Sequence, residues 1–168
     1  MERHEWNSEI ETCEFLASLI KMTKAEKVLE VGTFEGESTA EMAEALPEHG
    51  QLFTVDIEEF ISQKNAKRIK KAKCKFNRIL QDGTSWMRGF ERNYFDFAFI
   101  DSMHHWSHIL PEFKEVEKVV KFGGIIAYHD SIHIRDVKQL MDYAESHGYR
   151  RVDLMTTFGR GLTLLQRF

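Results

Sequence analysis

The stretch V-L-E-V-G-T-F-E-G-E-S-T, residues 28–39, joins a short apolar run to a polar segment with helical spacing. The apolar run, 28–31, predicts a buried strand. Gly32 and Gly36 permit a tight turn after it, in which the backbone can approach a ligand closely. The segment 36–46 predicts a helix whose first N–H groups lie at this turn. A strand, a glycine turn and a helix in this order form the first half of a βαβ unit.

The same alternation of apolar and helical segments continues along the chain. A first helix is expected from Ile10 to about Ile20, with Ser8 and Glu11 forming a capping box at its start. Further helices are expected at 58–71, 84–88, 107–120 and 134–146, and further strands at 52–55, 76–80, 95–100, 124–128, 149–154 and 162–166. Strands separated by helices pair in parallel, whereas the last two strands adjoin and form an antiparallel hairpin. The sequence therefore predicts an α/β fold with a Rossmann-like, seven-stranded mixed sheet and helices on both faces.

An acidic side chain stands at or just beyond the end of each of the first five predicted strands: Glu30, Asp56, Asp82, Asp101 and Asp130. The carboxyl ends of parallel strands lie at one edge of the sheet, where α/β proteins bind their ligands. Like charges that crowd together repel one another unless they have a partner. The five acids therefore predict a binding site at this edge.

Length and composition limit the class of protein. The 168 residues are enough for a single domain, and 42% hydrophobic and 12% aromatic residues can fill its core. The net charge of −4 argues against nucleic-acid binding by the whole surface, and the longest purely apolar run, 125–128, is far too short to cross a membrane. Cys13 and Cys74 match no metal or disulfide pattern. We therefore expect a cytoplasmic protein with two packed thiols.

The glycine turn is rich in acids, which bears on its ligand. A dinucleotide-binding turn has the pattern G-x-G-x-x-G, whereas this turn is G-x-x-x-G and carries Glu30, Glu35 and Glu37. Carboxylates repel a pyrophosphate but tolerate a ligand with an ammonium and a sulfonium group. Asp56, at the end of the next strand, is suited to accept both hydroxyls of a ribose. These features favour S-adenosylmethionine, while a nucleotide site and a purely structural glycine turn stay open.

Five motifs occur in one order: V-L-E-V-G-T-F-E-G-E-S-T, T-V-D-I, Q-D-G-T, F-D-F-A-F-I-D-S-M-H-H-W and G-G-I-I-A-Y-H-D-S. Through them, and through the closing G-L-T-L-L, the chain resembles the class I S-adenosylmethionine-dependent methyltransferases. It is most similar to the small metal-dependent O-methyltransferases of the catechol and macrolide-sugar type. The resemblance implies the strand order 3-2-1-4-5-7-6 with the last strand antiparallel. It also implies one domain, 1–168, with an N-terminal helix or cap at 1–26 and a catalytic core at 27–168.

The resemblance implies a donor site built from strand ends and the glycine turn. Its cofactor-binding residues would be Glu30, Gly32, Thr33, Phe34, Gly36, Ser38, Asp56, Ile57, Asp82, Gly83, Thr84 and Asp101. In this set Glu30, Gly32 and Ser38 hold the methionine end, Asp56 binds the ribose, and 82–84 meet the adenine. Ile57 and Trp86 would pack on the faces of the adenine, with ordinary core packing as the alternative for Trp86.

The resemblance also implies a divalent metal held by Asp101 and Asp130, with Ser131 and His104 as further ligands. Ser131 departs from the family, in which an amide is usual at this position. Magnesium is expected, but manganese, zinc and iron are alternatives because histidines cluster here: His104, His105, His108, His129 and His133. His104 replaces a lysine base of catechol-type relatives, so Asp101 and His104 are the expected catalytic residues. Whether His104 binds the metal or removes the proton of the acceptor stays open.

The predicted reaction moves a methyl group from S-adenosylmethionine to a small-molecule acceptor, at a hydroxyl oxygen, with metal assistance. Two other functions stay open: a non-catalytic S-adenosylmethionine- or nucleotide-binding module, and an N- or RNA-directed methyltransferase. Eight basic residues in 64–78 would favour RNA, but they also fit a solvated helix face, and nucleic acid is not an expected partner. Arg160 either orients an acidic substrate or belongs to a turn. The short cap is compatible with a homodimer.

Overall fold

A computed structural model describes residues 8–168 of the chain. Its elements are α1 (Ile10–Thr23), β1 (Lys27–Val31), α2 (Glu37–Ala45), β2 (Gln51–Asp56), α3 (Gln63–Lys71), β3 (Lys75–Leu80), α4 (Gly83–Arg88), β4 (Phe95–Ile100), α5 (Trp106–Val119), β5 (Val120–His129), α6 (Arg135–Ser146), β6 (Arg150–Leu154) and β7 (Leu162–Gln166). The seven strands form one sheet in the order β3-β2-β1-β4-β5-β7-β6. Only β7 is antiparallel to its neighbours. The predicted fold and strand order are confirmed.

The sheet carries an apolar cluster on each face, because successive residues of a strand point to opposite sides. Leu29 belongs to the cluster beneath α5 and α6, and its neighbour Val28 belongs to the cluster beneath α1 and α2. The central strands β1, β4 and β5 are therefore apolar on both faces, as expected for buried parallel strands. The N-terminal helix α1 packs against α2 and contributes Leu16 and Ile20 to the core. Residues 1–7 of the predicted cap lie outside the described residues.

The register of the central strands brings the binding residues to one place. Val31 at the end of β1 is opposite Ile100, and Ile100 is opposite Tyr128 of β5. Strands β1 and β4 therefore end at the same height and β5 one residue later, so the acids that follow β4 and β5, Asp101 and Asp130, emerge next to each other. This is the edge at which the sequence predicted a binding site.

Local structure differs from the sequence prediction at two helix starts. The predicted capping box of Ser8 and Glu11 is wrong: α1 begins after Glu9, and no side chain caps it. Ser8 instead donates its hydroxyl hydrogen to Asp101, which lies 93 residues further along the chain. Helix α3 begins at Gln63 rather than at 58, because Ser62 caps it by accepting a hydrogen bond from the backbone N–H of Asn65 at 3.2 Å.

Within residues 8–168, no helix is both long enough and apolar enough to span a membrane. The two cysteines, Cys13 and Cys74, are buried and unbridged. The burial of both thiols agrees with the sequence expectation.

Of the ten glycines, Gly32 has the least room for a side chain. Its φ of +96° lies in the left-handed region, and a Cβ atom built on it would lie 2.2 Å from the carbonyl oxygen of Asp101. Gly123 has a similar φ of +81° but nothing within 4 Å of the corresponding Cβ position. Alanine at Gly123 would therefore introduce backbone strain alone, whereas alanine at Gly32 would introduce both backbone strain and a steric clash.

We expect Gly32→Ala to lower the free energy of unfolding by about 2 kcal/mol more than Gly123→Ala, because only the first adds a backbone clash to the unfavourable φ. Urea unfolding of both variants and the unmodified protein measures the difference. Equal losses in the two variants would contradict the close approach of β1 to Asp101.

Candidate functional site

A cavity of about 380 Å³ opens beside the ends of β1, β2 and β3, and we call it the donor cavity. Seven of the residues predicted to bind the cofactor line it: Gly32, Phe34, Asp56, Ile57, Asp82, Gly83 and Asp101. Thr33 and Ser38 line a small adjoining recess of about 40 Å³, together with Ser8 and Glu37. Glu30, Gly36 and Thr84 line neither space. The structure thus brings most of the predicted donor residues together.

Asp56 holds the glycine turn in shape. Its Oδ2 accepts hydrogen bonds from the backbone N–H of Thr33 at 2.7 Å and of Phe34 at 3.0 Å. Its Oδ1 accepts a third from the backbone N–H of Glu58 at 3.0 Å. Phe34 needs this support because its φ of +42° lies in the left-handed region. Asp56 therefore shapes the loop. Its predicted contact with a ribose would use the lone pairs of its carboxylate that these three hydrogen bonds leave unoccupied.

Glu30 lies beneath the turn rather than in the cavity. It is fully buried and accepts hydrogen bonds from the hydroxyls of Ser38 at 2.5 Å, Thr39 at 2.6 Å and Thr54 at 2.6 Å. Burial raises the pKa of Glu30 to about 7, although the three hydroxyl groups act in the opposite direction. The predicted role of Glu30 at the methionine end can therefore act only through the side chains that it holds.

Glu37 is not an open charge on the turn. It forms ion pairs with Arg68 at 3.1 Å and Lys64 at 3.3 Å, both from the basic segment 64–78. Arg68 also pairs with Glu41 and Glu44 of α2. Part of the basic segment is thus neutralised by α2, which favours the solvated-helix interpretation over an RNA surface.

Trp86 belongs to an aromatic cluster in the core. Its ring centroid lies 4.5 Å from that of Phe90 and 6.0 Å from that of Phe53. It does not line the donor cavity, so core packing is the alternative that the structure favours. Ile57 is 65% exposed and does line the cavity, which leaves it free to cover a flat ligand.

A second cavity, of about 820 Å³, adjoins the first, and we call it the acceptor cavity. It is lined by Phe34, Asp101, Ser102, Met103, His104, His105, Asp130, His133, Ile134 and Arg160. Four of these residues also line the donor cavity: Phe34, Asp101, Ser102 and Met103. The two cavities therefore meet at the end of β4.

Three of the four predicted metal ligands come together in the acceptor cavity. One potential ligand atom from each of Asp101, His104 and Asp130 lies within 4.8 Å of the others. Nε2 of His104 lies 3.6 Å from Asp130 and 3.8 Å from Asp101, and within the described chain it has no hydrogen-bond partner although it is buried. An orphaned nitrogen between two carboxylates fits a divalent ion, and this mixed set suits zinc, manganese or iron as well as magnesium.

Ser131 does not join this group. It is fully buried, and its Oγ accepts a hydrogen bond from the hydroxyl of Thr163 on β7 at 2.8 Å. It does not line the acceptor cavity, so its predicted role as a ligand has no support in the arrangement. Asp130, one residue earlier, has a φ of +56°, and such strained backbone is common at functional sites.

A buried network that the sequence analysis missed supports Asp101 from behind. Nε2 of His129 lies 2.7 Å from Glu9, and its Nδ1 lies 3.2 Å from Oδ1 of Asp101. Glu9 also accepts a hydrogen bond from Thr156 at 2.8 Å, and Ser8 donates to Oδ2 of Asp101 at 2.7 Å. Glu9 and His129 are each 1% exposed. The start of α1, the end of β5 and the β6–β7 loop are thereby joined.

The pKa values of this network are strongly shifted. Burial opposes charge on His129, but the charge of Asp101 and hydrogen bonds to Asp101 and Glu9 raise the pKa of His129 to about 10. Burial would raise the pKa of Asp101, but the charge of His129 holds it well below its ordinary value. Burial would also raise the pKa of Glu9, but its hydrogen bond to His129 lowers this pKa to about 2. Burial and the charge of Asp101 raise the pKa of Asp130.

The sequence is similar to known proteins over most of its length. Residues 3–165 match the family model described as O-methyltransferase. The chain is 30% identical to the tapetum-specific methyltransferase 1 of Arabidopsis thaliana, over 91% of this chain and 74% of that protein. It is 34% identical to a caffeoyl-CoA O-methyltransferase of Populus kitakamiensis, over 70% of this chain and 52% of that protein. The chain thus spans between half and three-quarters of the length of these two relatives.

Solved structures share the fold. An O-methyltransferase from Bacillus cereus, in complex with SAH (S-adenosylhomocysteine), aligns with a TM-score of 0.75 at 16% identity, over 97% of this chain and 84% of that one. At this identity the likeness concerns the arrangement of the chain alone. It agrees with the strand order described above.

We expect Glu9→Gln to lower the free energy of unfolding by about 3 kcal/mol, because a buried charge pair that loses one member leaves the other uncompensated. Glu14→Gln, an exposed site on the same helix, serves as the matched control and should change stability by less than about 0.5 kcal/mol. Urea unfolding near neutral pH measures both. Similar losses for the two variants would show that the Glu9–His129 contact contributes little.

Stability should also depend on pH in a predictable direction. The raised pKa of His129 means that its contribution is complete below its ordinary pKa of 6.5 and is lost as pH rises toward about 10. The lowered pKa of Glu9 means that its contribution is complete above 4.5 and is lost as pH falls toward about 2. Urea unfolding over a pH series should show the alkaline decline in the unmodified protein and lose it in His129→Gln. An unchanged decline in that variant would assign it to other groups.

Proposed function

Because the chain belongs to the O-methyltransferase family, we propose that it transfers the methyl group of S-adenosylmethionine to a hydroxyl oxygen of a small-molecule acceptor. One observation carries this proposal: the donor and acceptor cavities meet at Asp101, which lines both. A methyl group has to pass directly from sulfur to oxygen, so the two substrates need adjoining spaces with a shared wall. Alignment of the two reactants there supplies much of the acceleration.

The donor side of the proposal rests on the glycine turn and Asp56. The turn gives the backbone close approach to a ligand, and Asp56 fixes the turn while keeping acceptor capacity for ribose hydroxyls. Ile57 is exposed at the cavity wall and would cover one face of the adenine. The methionine end would lie toward the recess lined by Thr33 and Ser38.

On the acceptor side we assign a divalent ion to Asp101 and Asp130. One carboxylate oxygen of Asp101 lies within 4.8 Å of one of Asp130, which is close enough for a single ion to bind both. A bound divalent ion would lower the pKa of the acceptor hydroxyl. Nε2 of His104 is the group that we assign to removal of the hydroxyl proton, because it lies beside both carboxylates and is committed to no other hydrogen bond within residues 8–168.

The lining of the acceptor cavity favours an aromatic acceptor. Phe34, Met103 and Ile134 supply apolar walls, and the volume of about 820 Å³ accommodates more than a single ring. One relative is named for action on caffeoyl-CoA, a hydroxylated aromatic thioester. We therefore propose a phenolic hydroxyl as the methylated group. Arg160 lines the same cavity and is assigned to an acidic group of the acceptor.

Two further assignments complete the proposal. A cytoplasmic location is favoured by Cys13 and Cys74, which are both buried and form no disulfide. A homodimer would cover the β6–β7 loop, whose Met155 and Phe158 are 69% and 72% exposed and whose Arg160 lines the acceptor cavity.

The proposal is tested by calorimetry and by methyl transfer from labelled S-adenosylmethionine to caffeoyl-CoA and other hydroxylated aromatics, with magnesium, manganese or zinc. We expect micromolar donor binding and metal-dependent transfer. In Asp130→Asn, transfer should fall at least about 100-fold while donor binding is retained, because only the acceptor side is changed. In His104→Gln, transfer should fall while metal binding, measured by calorimetry, is retained.

Asp142→Asn, at an exposed site of α6, is the control for Asp130→Asn and should leave transfer unchanged. Donor binding without transfer to any acceptor or metal would favour a non-catalytic binding module. No donor binding under any condition would refute the assignment of the activity.

A further inference from the structure

A carboxylate that the reaction does not use faces the donor cavity from α5. Glu112 is fully buried, yet it is one of the residues that line this cavity. Its Oε2 accepts a hydrogen bond from the hydroxyl of Ser102 at 2.7 Å. Its Oε1 has no hydrogen-bond partner among the described residues. A buried carboxylate oxygen without a hydrogen bond is costly to the fold and indicates that a donor group from outside the protein completes it.

The free oxygen lies at the end of the cavity formed by the start of α4. A Cβ atom built on Gly83 would lie 3.6 Å from Oε1 of Glu112, so the absence of a side chain at this position keeps the space beside the oxygen open. Asp82, the neighbouring acid, is already engaged: it caps α4 by accepting a hydrogen bond from the backbone N–H of Ser85 at 2.8 Å. Of these two acids, only Glu112 keeps a buried oxygen without a hydrogen bond.

A histidine on the same helix lies close to this oxygen without forming a hydrogen bond to it. Nε2 of His108, one turn earlier on α5, lies 3.4 Å from Oε1. The interaction with Glu112 raises the pKa of His108, which favours the charged imidazole. His108 and the hydrogen bond from Ser102 offset part of the cost of burying the carboxyl group of Glu112.

We infer that Glu112 selects the base of the methyl donor, its Oε1 accepting a hydrogen bond from the 6-amino group of adenine. The inference rests on the proposed function, since it takes the donor cavity to hold S-adenosylmethionine. An ionised carboxylate can only accept hydrogen bonds. An amino group therefore satisfies it, whereas a base with an oxo group at the same position would bring two acceptors together and leave Glu112 unpaired.

Titration calorimetry with three ligands tests the selection: S-adenosylhomocysteine, its inosine analogue with a 6-oxo group, and its 7-deaza analogue, which keeps the amino group. The unmodified protein should bind the inosine analogue roughly 100-fold more weakly than S-adenosylhomocysteine and the 7-deaza analogue. In Glu112→Gln the preference should fall below about 10-fold, because an amide can either accept from the amino group or donate to the oxo group.

Glu117→Gln is the matched control, since Glu117 lies on the same helix, pairs with Arg167 at 3.8 Å and does not line the donor cavity. It should keep the full preference. Equal weakening of all three ligands in Glu112→Gln would overturn the inference and leave Glu112 a structural role. If the variant does not fold, the unmodified protein alone still tests the inference. Equal binding of the amino and oxo ligands to it would overturn the inference while leaving the methyl-transfer proposal intact. Binding of none of the ligands would overturn both.

Discussion

The acceptor side of the site depends on one buried cation, the imidazolium of His129. Asp101 and Asp130 emerge together because β4 and β5 end in register, and two buried carboxylates repel each other strongly in a medium of low polarity. His129 lies within 3.2 Å of Asp101 and 3.6 Å of Asp130, and Glu9 holds it from the other side at 2.7 Å. The start of α1 is therefore part of the site, since without Glu9 the imidazole would lose the partner that orients it.

The donor side depends on a different constraint, the absence of side chains where two strands approach. Gly32 allows the turn after β1 to lie against the backbone of Asp101, and Gly83 leaves space between Val31 and Glu112. Both glycines line the donor cavity, and so does Asp101. The cavities for donor and acceptor thus share a wall because of strand register and backbone contact, and not because of any single side chain.

The sequence was sufficient to predict the fold because each element carried its own pattern. Alternating apolar strands and amphipathic helices, with a final pair of strands without a helix between them, indicate a mainly parallel sheet that ends in an antiparallel hairpin. The strand order, with β7 between β5 and β6, followed from the family resemblance. The acids at the strand ends were predicted for the same reason, since register follows from parallel pairing. Predictions failed where a side chain contacts a residue that is distant in sequence. Ser8 was expected to cap a helix but donates a hydrogen bond to Asp101. The contact of Glu9 with His129, 120 residues away, was not predicted at all. The H-D pair at 129–130 was the one local indication of this network.

The proposed reaction requires a methyl donor in the donor cavity to present its methyl group toward His104 in the acceptor cavity. Nuclear magnetic resonance with S-adenosylmethionine labelled at its methyl carbon tests this most directly, through magnetisation transfer from the methyl protons to the ring protons of His104. We predict a cross-peak to an imidazole signal that disappears in His104→Gln, while the labelled donor remains bound. The proposed arrangement of donor and base would be wrong if the bound donor showed no magnetisation transfer from its methyl protons to His104, or transfer only to residues that line the donor cavity alone.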